Sequence, residues 1–317
     1  MRPRYRAVLA LCIALAGPAA VRAADPAPPS LLIATPTFLM FAEGDRRQAA
    51  VAGAGSGSYR PIGLLADGSA LVAYDDGLYT VVETISRALE ARKVRTFTRG
   101  TQVYPGTGGF LTYEGSSQLV RRYDTRGSLQ GQPLVTLGAT EILAVGETIV
   151  SLGNGRLRVW DKNGRLHRES ILDGNSLVQL PAARFAVNDT RDGEVRAYTL
   201  DLEQVATLRY VGLPVRLLAS APDGALAVLA GTPACTLSNA EVDVFTDLHA
   251  QPIARIHDGI TVPVALAVGP DYVYIANRSC SANGDDGTIS VFARDGTPKP
   301  TMRNIGTPTA ILPFKRT

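Results

Sequence analysis

Near its end the chain carries Thr307 to Phe314, TPTAILPF, which matches two internal segments, Leu213 to Ser220 (LPVRLLAS) and Val262 to Gly269 (VPVALAVG). In both internal copies that segment opens a unit of short strands, so the terminal copy reads as a first strand too. The clearest complete unit is Pro263 to Gly296. It reads as a strand (Val264 to Val268), the turn Gly269-Pro270-Asp271, a strand (Tyr272 to Asn277), a polar loop, a strand (Thr288 to Ala293) and the turn Arg294-Asp295-Gly296. Short strands punctuated by Gly, Pro and Asp form an antiparallel meander.

The unit recurs about every 35–50 residues, the period of a repeat architecture. Its turns include Ala66-Asp67-Gly68, Asp75-Asp76-Gly77, Asp124 to Gly127, Lys162-Asn163-Gly164 and Ala221 to Gly224. Six four-stranded units can be traced from Arg60 onward. Leu31 to Ala34, Phe38 to Phe41 and Gln48 to Ala52 supply three further strands, and TPTAILPF supplies the missing first one. A ring of four-stranded sheets needs this closure, because an open ring leaves a seam of unpaired edges. The expected fold is therefore all-β: a seven-bladed β-propeller whose N- and C-terminal strands share one blade. A pair of β-sandwiches would not need matched terminal fragments, and a parallel β-helix would show shorter, more regular rungs. One segment resists the pattern. Ser86 to Lys93 passes for a helical turn, and Val94 to Thr98 reads as the fourth strand of its unit.

The 317 residues allow two domains or one large all-β domain; the repeat favours a single domain over 31–317. Residues 1–23 read as a signal peptide: Arg2, Arg4 and Arg6, then an apolar run from Ala7 to Gly17, with Val21-Arg22-Ala23 as the cleavage pattern. The run is shorter than the roughly 20 residues that span a bilayer. Cys12 follows Leu11, which is too large for a lipoprotein site. Cleavage is expected after Ala23, with 24–30 (ADPAPPS) as a flexible leader and a periplasmic or secreted destination. The full chain has 32 Lys+Arg and 29 Asp+Glu, and four of the Arg lie in 1–23. The remainder is 28 against 29, so nothing global points to nucleic acid or an anionic membrane.

Tyr274-Ile275-Ala276-Asn277 with Gly287-Thr288-Ile289-Ser290-Val291-Phe292 resembles the propeller family named for its Tyr-Val-Thr-Asn repeats, whose lactonase-like and amine-dehydrogenase-subunit members share this look. Phe185 to Asn188 with Gly193-Glu194-Val195 is a weaker copy. The resemblance implies fold more than activity. Trp160-Asp161 echoes the WD repeat but lacks a preceding Gly-His, so Trp160 is expected to pack.

Cys235 and Cys280 lie at equivalent points of adjacent units, in second-to-third-strand loops of about ten residues. In an oxidising compartment they are expected to pair. Their loops, with Thr232, Pro233, Arg278, Ser279, Asn283, Asp285 and Asp286, are the candidate binding surface. Calcium-dependent lactonase propellers hold their ion with carboxylates and Asn on the innermost strands. At those positions only Glu141 and Asn175 fit, too few for an oxygen cage. His167, His249 and His257 show no ligand spacing, and no nucleophile–base pair or phosphate-cradling loop stands out. The acidic run Asn283 to Gly287 suits a plain turn as well as a cation. The expectation is a monomeric, non-catalytic binding or scaffolding protein without cofactor or metal, whose partner is a periplasmic protein or small ligand. The alternative is a lactonase-like hydrolase or the propeller subunit of a periplasmic oxidoreductase.

Overall fold

The computed structural model describes residues 28–44, 46–51, 59–232, 234–235, 238–281 and 286–315. The signal peptide, its cleavage site and most of the leader lie outside them. Described residues form 28 strands in seven four-stranded antiparallel sheets.

Blade 1 holds β1 (Ser30–Ala34), β2 (Leu39–Glu43) and β3 (Arg46–Val51). Blade 2 is β4 (Arg60–Leu64), β5 (Ala70–Asp75), β6 (Tyr79–Ile85) and β7 (Ala91–Thr98). Blade 3 is β8 (Gln102–Gly106), β9 (Gly109–Glu114), β10 (Leu119–Asp124) and β11 (Leu129–Val135). Blade 4 is β12 (Glu141–Val145), β13 (Thr148–Gly153), β14 (Arg156–Trp160) and β15 (Leu166–Ile171). Blade 5 is β16 (Gly174–Leu180), β17 (Arg184–Asp189), β18 (Glu194–Thr199) and β19 (Gln204–Arg209). Blade 6 is β20 (Val215–Ser220), β21 (Leu226–Ala230), β22 (Glu241–Phe245) and β23 (Ala254–Ile256). Blade 7 is β24 (Pro263–Val268), β25 (Tyr272–Asn277), β26 (Thr288–Ala293) and β27 (Pro298–Met302). Finally β28 (Ala310–Pro313) returns to blade 1.

The order in the closing blade is β28-β1-β2-β3. The expected closure is therefore present: Ala34 pairs with Ala310 and Leu31 with Pro313, and the Thr309 amide donates to the Ala34 carbonyl at 2.8 Å. The innermost strands β28, β4, β8, β12, β16, β20 and β24 each touch the next, so they form a complete ring.

The core is divided into seven slabs, one between each pair of neighbouring blades. Strand alternation explains this. Successive side chains point to opposite faces, so β25 sends Tyr272, Tyr274 and Ala276 into the slab against blade 1 and Val273 and Ile275 into the slab against blade 6. A central strand with both faces covered reads as a continuous apolar run. LMFA, ALVAY, LAVLA and YVYIA are such runs, each almost wholly buried. Outer strands face solvent and read as polar, as in ARKVRTFT.

One sequence expectation needs correction. Ser86 to Lys93 is not a helical turn: Ser86 to Leu89 is a tight turn with Leu89 at φ 65°, and β7 begins at Ala91. The helix-forming composition of RALEARKV yields to pairing with β6, from Ile85↔Ala91 to Tyr79↔Thr98. The outer strand of blade 7, Pro298–Met302, follows the turn Arg294-Asp295-Gly296 almost directly. The Ala293 amide bonds to the Thr297 carbonyl at 2.8 Å, closing the hairpin so early that the strand starts at once. Trp160 packs as expected, and its indole N–H donates to Ser151 Oγ at 2.9 Å.

Candidate functional site

Cys235 and Cys280 form a disulfide, with Cα atoms 5.6 Å apart. It joins loop 231–240, between β21 and β22, to loop 278–287, between β25 and β26. Each loop has ten residues, where the same connection takes two to four residues in the other five blades. The two insertions thus sit side by side on one face.

Each insertion is anchored at its root. Asn277 ends β25 and is buried; its Nδ2 donates to the Gly259 carbonyl at 3.0 Å and to Ser290 Oγ at 3.3 Å. Its Oδ1 accepts the Thr261 amide at 3.0 Å, and the Arg278 amide bonds to the Val262 carbonyl at 2.9 Å. One Asn therefore ties the loop root to the segment entering the blade. Asn188, its counterpart in blade 5, likewise donates to Asn175 Oδ1 at 2.7 Å and to the Val215 carbonyl at 3.2 Å. In blade 6 a backbone bond does the work: the Gly231 amide donates to the Pro214 carbonyl at 2.9 Å.

Beyond the roots the loops are polar. Thr232 is exposed, and its amide donates to Asn239 Oδ1 at 2.6 Å. Arg278 is exposed. Ser279 Oγ lies 2.9 Å from Ser281 Oγ and donates to Asp286, which also accepts Ser281 Oγ at 2.8 Å. These hydroxyls, Ser279 first, hold the Asp286 carboxyl below the usual range. Asp286 thus closes its own loop. Pro233, Asn283 and Asp285 lie outside the described residues.

Glu141 and Asn175 stand at the start of β12 and β16 on the inner ring, in blades 4 and 5, whereas the disulfide joins blades 6 and 7. Asn175 spends its Oδ1 on Asn188. Glu141 is half-buried, and burial pushes its carboxyl up to about 7. The phenol of Tyr104 on β8 feels the charge of Glu141 and of Arg60, so the starts of β4, β8 and β12 converge. That phenol is raised by burial and donates to Gln102 Oε1. The sequence marked Glu141 as an axial polar group; Arg60, Gln102 and Tyr104 were missed, because a strand's first residue carries no local mark of what faces it across the ring. No group of three or more His, Cys, Asp and Glu suited to a metal occurs among the described residues. His167 Nε2 lies 2.9 Å from Asp201 Oδ1 at the surface, and His257 Nδ1 lies 3.7 Å from Glu241.

The Glu141 environment gives a testable pH dependence. The ordinary value is 4.5 and the folded value about 7. Between them the folded chain keeps a proton that the unfolded chain has released, so stability falls as pH rises through this window and levels off above it. The E141Q variant is expected to exceed the wild type by on the order of 2 kcal/mol at about pH 8 and to match it at about pH 4. Denaturant unfolding at both pH values checks this; an equal offset at both would refute it.

No protein family model matches the chain, and no curated protein matches it either. Solved structures share the fold. A functionally unknown protein from Desulfotomaculum acetoxidans has TM-score 0.67 and 12% identity, covering 91% of this chain and 100% of its own. A protein from Lactobacillus plantarum has TM-score 0.60 and 12% identity, covering 90% and 98%. BamB from Moraxella catarrhalis has TM-score 0.51 and 12% identity, covering 88% and 89%. At such identities the likeness is one of fold.

Proposed function

We propose that this chain is an exported, extracytoplasmic propeller that acts by binding, and that its working surface is the face carrying the Cys235 and Cys280 loops. The observation behind this reading is the disulfide across two insertions that the ring itself does not require. Loops extended beyond what a rigid scaffold needs are where binding groups concentrate, and a cross-link fixes their relative position before a partner arrives. A structural disulfide also belongs to an oxidising compartment, which agrees with residues 1–23 acting as a signal peptide cleaved after Ala23. The partner is a protein or small ligand of that compartment, bound by a monomer whose strands follow a Tyr-Val-Thr-Asn-type repeat.

Affinity capture from a periplasmic extract tests it. Wild-type protein should retain a partner that is lost when 278–287 is replaced by a two-residue turn like that between β13 and β14. Equal retention by both proteins would sink the assignment of this face. The second reading, a lactonase-like hydrolase or oxidoreductase subunit, draws on Glu141, whose carboxyl near 7 lies in the range of a general acid or base. Turnover of a lactone and ester panel, with or without calcium, that disappears in E141Q would favour it over the binding role.

A further inference from the structure

A cleft of about 480 Å³ opens between blades 2 and 3, across the ring from the disulfide. Its origin is a bulge: Val82 pairs with Arg95 and Glu83 with Lys93, leaving Val94 unpaired in β7. The bulge turns Val94, Arg95 and Phe97 toward blade 3. Phe97 and Tyr123 meet edge to face at 5.1 Å to form the floor. The Arg95 guanidinium covers the Tyr123 ring at 5.1 Å and donates to the Gly127 carbonyl at 2.7 Å. On the opposite wall Arg121 lies 3.4 Å from Glu114. At the rim Leu78 and Tyr79 are 74% and 51% exposed, an apolar pair that the packing of the ring leaves uncovered.

The cleft lining holds Arg95 and Arg121 against Glu114, and Asp76 accepts the Leu78 and Tyr79 amides at the rim. The surrounding stretch is basic: residues 87–126 carry eight Lys and Arg against three Asp and Glu, of which Arg87 faces Asp67 and Arg122 the Glu147 carbonyl, away from the cleft. Arg92, Lys93, Arg95 and Arg99 are all exposed, and β7 is an outer strand with one edge open to solvent. The acid in the wall, Glu114, is already occupied: it accepts Ser117 Oγ at 2.7 Å as well as Arg121. With exposed Arg92 and Lys93 on β7 and Arg99 just after it, the mouth is net positive around a pocket with an aromatic floor and Thr96, Thr98, Thr101 and Thr112 in its lining, large enough for a side chain and its flanking backbone.

We propose that the cleft between blades 2 and 3 docks an acidic, extended polypeptide segment, which seats one apolar side chain between Tyr79 and Phe97 and sets its carboxylates against Arg95, Arg121 and the β7 cations. Charge complementarity selects an acidic partner and accelerates encounter. The uncovered Leu78 and Tyr79 favour a polypeptide over a sulfated glycan, which has no apolar side chain to bury. An open strand edge suits an extended backbone. This site is separate from the disulfide face and does not depend on the function proposed for that face.

Fluorescence anisotropy on the full folded chain tests the proposal. The probes are a short fluorescein-labelled peptide of Glu flanking Phe-Leu, its Lys-flanked counterpart, and a Glu peptide with Ala in place of Phe-Leu. The Glu/Phe-Leu peptide should bind, and bind less well as salt is raised. The other two peptides should bind at least about tenfold more weakly. Y79S and R121Q should each lower affinity for the first peptide by about tenfold or more while melting like the wild type; L78S, altering a residue 74% exposed, serves if R121Q fails to fold. Absence of binding by the first peptide overturns the proposal. So does equal binding of all three, or a heparin interaction that outcompetes the peptide and is unaffected by Y79S, which would mark a polyanion surface. Replacing 278–287 should leave this binding intact, which separates its outcome from that of the disulfide face.

Discussion

Deleting residues 307–317 is expected to abolish the cooperatively folded ring. The segment supplies β28, whose pairing with β1 is the only backbone ladder linking the two ends of the chain among the described residues. It also buries Ile311 and Phe314, the latter edge to face with Phe41 at 6.0 Å. Removing these side chains together with half-buried Leu312 costs about 2–3 kcal/mol each in transfer terms alone. The opened inner edge of β1 and the lost slab contacts bring the total to on the order of 10 kcal/mol, comparable to the whole stability of a typical domain. F314A removes one of those side chains and should cost about 3–5 kcal/mol with the ring still closed. Thermal unfolding followed by circular dichroism, with limited proteolysis, checks both. A truncated chain that melts cooperatively at the wild-type temperature would mean that β28 is dispensable to closure.

Breaking the Cys235–Cys280 link is the second large effect. The cross-linked residues are 45 apart. Loop-closure entropy for that separation gives about 4 kcal/mol. In a chain of this size each kcal/mol moves the midpoint by only about 2 °C, so C235S/C280S or full reduction should lower Tm by about 5–8 °C. The fold should survive, because both loop roots are held independently, by Asn277 in blade 7 and by the Gly231 amide in blade 6. Partner retention should fall further than stability does if the link orders the loops for binding. Scanning calorimetry with and without reductant checks the first part, and a thiol assay on the denatured chain starting at Ala24 should find none free. Two reactive thiols in that assay would refute the link.

What the sequence revealed tracks how local the cause is. TPTAILPF disclosed the closing blade because a buried inner strand repeats the same apolar alternation wherever it occurs. Cys235 and Cys280 were legible as a pair because each lies a few residues past the end of a second strand, and neighbouring blades repeat that geometry. The Asn of YIAN and FAVN stands out in sequence only as part of the repeat. Its real role, clamping the entry segment of its own blade or of the next, needs contacts 16 to 27 residues away. The cleft between blades 2 and 3 was invisible. It depends on a one-residue bulge in β7, inside a stretch whose composition suggests helix. Glu141 could be placed on the inner ring from its strand position, but its proton affinity depends on how deeply the closed ring buries it.

The closing blade also sets a schedule for biosynthesis. The Ala34 carbonyl waits for Thr309, 275 residues later. A chain made from its N terminus must therefore hold LLIA and LMFA, both fully or nearly fully buried in the finished protein, without their inner partner until Ala310 to Pro313 has emerged. Through that interval β1 offers an unpaired apolar edge, the feature most prone to wrong pairing with other chains. Yield during production should therefore depend on how long this edge is left waiting, and a circular permutant that starts at Thr307 and makes blade 1 in one piece would remove the wait.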